Sequence, residues 1–124
     1  MGYWPIARGE PLEVTWEPAP ATQSPTVVAV EIAVFDMDVP GPNGLTLVSR
    51  LLTSADDTDG SLVISAEALQ QLPLAPNRWD ASDEATGYWA EMTIARHELR
   101  RVRGQGGDIV VDFIHAVSGP VFLE

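Results

Sequence analysis

Cysteine and lysine are both absent from this 124-residue chain. Without cysteine there is no disulfide framework, no iron–sulfur cluster, no thiolate zinc site and no thiol nucleophile. Only two histidines, His97 and His115, remain as nitrogen ligands. All seven cations are arginines, set against eighteen acids, for a net charge of −11. That field repels phosphate backbones and anionic membrane surfaces, so nucleic acid is not an expected partner. No apolar run approaches the length that crosses a bilayer, and direct membrane insertion is not expected. The N-terminus lacks the basic region and apolar run of a signal peptide. Ile6 stands where myristoylation wants Ser or Thr. Met1-Gly2 and Leu123-Glu124 read as appended residues on a domain cut from a longer protein, in which case the missing signals carry no weight.

What is present is enough for one domain with its own core, since a chain of this size buries roughly two thirds of its unfolded surface. The stretch from Thr26 to Phe35, TVVAVEIAVF, organises the rest. Read with a period of two, Val28, Val30, Ile32 and Val34 share one face, and Glu31 lies on the other. A mid-strand glutamate is costly to bury unpaired, so the Glu31 face is the wet one. This is the pattern of a central antiparallel strand with one buried face.

The remaining segments read as its partners. Pro5 argues against a central strand in the lead-in. Glu10 to Glu17 alternates, with Leu12, Val14 and Trp16 on one side. After a loop from Asp36 to Gly44, Leu45 to Leu52 has broken alternation that a bulge near Ser49-Arg50 would reconcile. Ser61 to Ser65 is a short strand. Ala66 to Leu72 is a helical turn capped by Ser65 and stopped by Pro73. A long polar connection from Leu74 to Thr86 leads into a strand from Gly87 to Leu99. Arg100, Arg101, Arg103 and the glycines from Gly104 to Gly107 form a basic hairpin turn. Asp108 to Val117 is the last clear strand. Ser118-Gly119-Pro120 turns the chain again, and Val121 to Leu123 adds a short edge strand.

Six or seven short strands, turns rich in proline and glycine, and no alternation of strands with helices predict an all-β, antiparallel sandwich, with a barrel as the alternative. The expected core is Leu12, Val14, Trp16, Val28, Val30, Ile32, Val34, Leu47, Leu62, Ile64, Leu69, Tyr88, Met92, Ile94, Ile109, Val111 and Phe113.

The order of signals carries a resemblance. Leu12-x-Val14-x-Trp16 precedes the valine-rich strand. Asp56-Asp57-x-x-Gly60-Ser61-x-x-Ile64 follows, then a helical turn ending Leu72-Pro73, a strand running into Arg96, and Gly107-x-Ile109-x-Val111. This is similar to the immunoglobulin-like and fibronectin-III-like sandwich modules of secreted and lipid-anchored bacterial surface proteins. The resemblance is one of architecture, since the Cys…Trp…Cys hallmark of antibody domains is absent. It implies an extracytoplasmic, immunoglobulin-like β-sandwich acting as a spacer or interaction module rather than an enzyme.

Four constellations were candidates for chemistry. Asp56-Asp57-Thr58-Asp59-Gly60 has part of a calcium-loop pattern, but Ala55 and Ala66 stand where its first ligand and its bidentate acid belong. An acidic β-turn explains it better, unless Asp36 and Asp38 join from another loop. Trp79 with Asp80, Asp83 and Glu84 has the composition of a sugar-binding loop, against the simpler reading of a tryptophan closing the core edge. His97 and His115 lack a third ligand for zinc. The three hairpin arginines read as neutralising nearby carboxylates. No nucleophile elbow or phosphate loop occurs. No catalytic, cofactor-binding or metal residue is therefore assigned. The function expected is a non-enzymatic structural or protein-interaction module whose partner is a neighbouring domain or another protein. The alternative is a carbohydrate- or calcium-binding module using the loops from Asp56 to Gly60 and from Leu74 to Thr86. A monomer is expected, with exposed edges that allow weak edge-to-edge dimers.

Overall fold

The computed structural model describes residues 4–20, 25–41, 44–75 and 87–124. In these residues the strands are β1 (Trp4–Ile6), β2 (Leu12–Thr15), β3 (Thr26–Gly41), β4 (Gly44–Asp56), β5 (Ser61–Ile64), β6 (Tyr88–Gly104) and β7 (Gly107–Leu123). A 3₁₀ turn covers Asp57–Asp59, and one helical turn, α1, covers Ala66–Leu69. The sheet order is β1-β7-β6-β3-β4, with β2 and β5 forming a separate pair. The chain is all-β, and neither sheet closes on itself, so it is not a barrel.

β3 is the centre, as its composition requires. It pairs antiparallel with β4 on one side and β6 on the other. Val28, Val30, Ile32 and Val34 are buried, the last three completely. On the opposite face Glu31 accepts from Arg50 at 2.8 Å. The second layer is small: Val14 of β2, Ile64 of β5, and Leu69 and Leu72 in and after α1 close over the valine–isoleucine face. Ser65 Oγ accepts from the Ala68 amide at 3.1 Å, the expected cap.

Three sequence expectations are corrected. The sheet is mixed rather than antiparallel throughout, because β1 runs parallel to β7, Trp4 opposite Val121 and Ile6 opposite Leu123. The last two residues pack into the fold: Leu123 is buried, its amide donates to Ala75 O at 2.9 Å, and Glu124 N donates to Ile6 O at 3.0 Å. No turn occurs at Ser118-Gly119-Pro120, because β7 runs unbroken through it. Pro120 lies opposite Glu91, and its missing N–H falls on the side away from β6, where no ladder bond needs it. The hairpin arginines stand in a strand rather than a turn, since β6 continues to Gly104 and only Gln105 and Gly106 make the loop.

The expected core also changes. Leu47 is exposed because the bulge falls at Val48, one residue before the expected place. Val34 pairs with Ser49 but Phe35 with Leu47, which turns Leu47 to the outer face. Ile109 and Phe113 are exposed and Val111 only half-buried. β3 begins opposite Glu98, so beyond that point β6 and β7 form a two-stranded arm that, among the described residues, has no third strand and no covering layer. Leu12, Trp16, Leu62, Tyr88 and Ile94 pack partly buried against the core.

Candidate functional site

The sequence candidates disperse in three dimensions. Val27 pairs with Asp56, whereas Asp36 sits nine residues on, beside Thr46. At the rise of an extended strand that is about 30 Å, so the two acidic segments do not meet. Asp57 is withdrawn from any ligand role. It is 1% exposed, and its Oδ1 accepts from Trp16 Nε1 at 3.1 Å, the Ala19 amide at 3.2 Å and Arg96 Nη2 at 3.2 Å. Arg96 Nε approaches Oδ2 at 2.7 Å, a charge contact without hydrogen-bond alignment. Burial by itself pushes the Asp57 carboxyl up. The Arg96 bond, the Ala19 amide, the Arg96 charge and the Thr26 hydroxyl outweigh it, and the group lies below the usual aspartate range. The residues act as a clip: Arg96 also donates to Glu17 O at 2.7 Å, tying the β2 loop to the large sheet.

His97 and His115 point to opposite faces, since His97 pairs with Ile114 and His115 with Arg96. His97 Nδ1 lies 3.1 Å from Asp112 Oδ2 instead. Arg100 grips Glu98 at 2.9 and 3.1 Å and lies 4.8 Å from the centre of the Phe113 ring. Arg101 is 4.0 Å from Asp108. Among the described residues no three acids, histidines or cysteines gather as a metal site. Trp79, Asp80, Asp83 and Glu84 lie outside the described residues.

What the fold does assemble is an edge and a groove. The Gln105-Gly106 loop closes on the Gly104–Gly107 pair, with Gly107 at a φ of 125° that favours glycine. From a two-residue loop the antiparallel alternation follows. Even-numbered residues of β7 turn their N–H and C=O away from β6. Near the end of β7, the Glu124 amide obeys this and donates to β1. But β1 covers only Val121, Phe122 and Leu123. Among the described residues nothing pairs with the edge from Asp108 to Ser118. Alongside it, on the inner face, Trp16, Val28, Ile94, Arg96, His115 and Val117 line a cavity of about 440 Å³. A second cavity of about 190 Å³, by Trp4 and Met92, shares Ile94 and Val117. Val117 is 76% exposed and Ile109, Val110 and Ile114 each more than half. The sequence marked the last strand as an exposed edge, but the alternation of Ile109, Val111 and Phe113 reads identically for a buried strand.

Fold and site together define an all-β protein with a long, largely apolar sheet edge, open among the described residues, beside a groove lined by Trp16, Ile94, Arg96 and His115. No protein-family model, no curated protein and no solved structure matches the chain.

Proposed function

We propose that this chain is a non-enzymatic protein-interaction module of the immunoglobulin-like sandwich type, from an extracytoplasmic bacterial protein, which receives an extended segment of a protein partner on the β7 edge. The observation that carries the reading is that edge: six residues from Asp108 to Ser118 with outward-facing N–H and C=O groups and no partner among the described residues. Natural sheets cover, shorten or charge such an edge. Here it is long, and although it carries Asp108 and Asp112 it exposes Val110, Ile114 and Val117 between and beyond them. An added strand gains main-chain hydrogen bonds, while side chains at alternate positions enter the groove or lie on the outer face. The immunoglobulin-like and extracytoplasmic parts of the reading are supported by the strand pattern and its resemblance to surface-protein modules.

The test is selection of extended peptides on the immobilised chain, followed by amide exchange of the complex. Bound peptide is expected to protect the amides of Val110, Asp112, Ile114, Ala116 and Ser118. Ala116→Pro removes an outward N–H without touching the β6 ladder, and is expected to abolish binding. Protection confined to other surfaces, or binding unaffected by Ala116→Pro, overturns the reading.

A further inference from the structure

We infer that the strand received by the β7 edge is β7 of a second copy of this chain, paired antiparallel about a twofold axis at Phe113; this rests on the interaction reading above and names its partner. Pairing is limited at one end by the loop at Gln105 and at the other by β1, which begins opposite Val121. Pro120 ends the run of usable donors. The outward-facing residues between these limits are Asp108, Val110, Asp112, Ile114, Ala116 and Ser118, and their midpoint is Phe113. In that register Asp108 meets Ser118, Val110 meets Ala116 and Asp112 meets Ile114. All six outward residues are then paired and no acid faces an acid. On the inner face Ile109 meets Val117, Val111 meets His115 and the two Phe113 rings face each other. Such a self-complementary patch is what a twofold interface requires.

Charge selects the same arrangement. The arm from Leu99 to Asp112 holds three arginines and two aspartates, a net +1, on a chain of net −11, so the remainder carries −12. Two such chains repel one another over most of their surfaces. The twofold at Phe113 sets the net-positive arm of each copy against Ile114 to Ser118 of the other, a stretch without an acid. It also sets Ile109 of the arm opposite Val117, the exposed residue shared by both cavities.

The experiment is sedimentation of the full chain over a concentration series, with single-cysteine crosslinking. Because the chain has no native cysteine, Phe113→Cys reports one contact only. A non-hydrogen-bonded antiparallel pair places its Cα atoms about 4.5 Å apart, within disulfide reach. The expected result is a micromolar dimer, rapid disulfide formation by Phe113→Cys, and none by Val117→Cys alone. Ile109→Cys mixed with Val117→Cys is expected to give the heterodimer. Ala116→Pro is expected to weaken dimerisation by about tenfold or more, and added salt, which screens the repulsion between two chains of net −11, to strengthen it. A chain that stays monomeric, or a dimer indifferent to Ala116→Pro, overturns the self-pairing. A monomer that still binds extended peptides at the same amides leaves the interaction reading standing alone.

Discussion

Removing Arg96 isolates the one buried charge among the described residues. In Arg96→Met the Asp57 carboxylate keeps Trp16 Nε1 and the Ala19 amide as donors, but loses its counter-charge and the tie from Arg96 to Glu17 O. Breaking a fully buried ion pair costs about 3–5 kcal/mol. The Arg96 side chain is 35% exposed, so water screens part of the interaction, and about 2–3 kcal/mol is expected. For a domain of this size that lowers Tm by roughly 8–12 °C. Urea titration followed by tryptophan fluorescence at neutral pH measures it, with Arg50→Met as the control, since the exposed Glu31 pair is worth only about 0–1 kcal/mol. The pH dependence has a definite sign. The Asp57 pKa is lowered in the folded chain from its ordinary value of 3.8, so the unfolded chain binds the proton more readily. The stability from this group is complete above the unfolded pKa and is lost as pH falls through the folded one. Asp57→Asn is therefore expected to be less stable at neutral pH and to show a flatter acid limb. Equal midpoints for Arg96→Met and Arg50→Met would refute the clip, as would an unchanged acid limb in Asp57→Asn.

Three further outcomes are expected. Ile32→Ala is predicted to cost about 3–4 kcal/mol by urea titration, whereas Leu52→Ala, on the exposed outer face, changes stability by less than about 0.5 kcal/mol. Leu123→Ala is predicted to cost about 2–4 kcal/mol, with loss of protection at the amides of Ala75 and Glu124 in amide exchange; unchanged protection there contradicts the packing of this end. Gly60 holds a φ of 68° at the end of the 3₁₀ turn, so Gly60→Ala is predicted to cost about 1 kcal/mol and Gly60→Asn less; a neutral Gly60→Ala measured by thermal melting contradicts the turn geometry.

Local chemistry alone determined much of this chain. The apolar alternation of β3 and its single glutamate assigned an inner and an outer face, and Val30, Ile32 and Val34 are completely buried while Glu31 pairs with Arg50. Ser65 capped the only α-helical turn among the described residues, and the glycines after Arg103 closed the last hairpin. These are short-range effects: a hydroxyl three residues from an amide, a positive φ, a period of two. Three-dimensional pairing decided the rest. Ile109 and Phe113 alternate as regularly as the valines of β3. They are exposed because β3 begins only opposite Glu98 and, among the described residues, the hairpin has no third strand or covering layer. Ser118-Gly119-Pro120 has turn composition, yet it runs straight because its one missing donor faces away from β6, on an edge with no partner among the described residues. Asp57 read as one of several turn acids until Trp16, Ala19 and Arg96, between 38 and 41 residues away, converged on it. Burial, edge exposure and charge pairing depend on which distant segments become neighbours, and no local pattern records that.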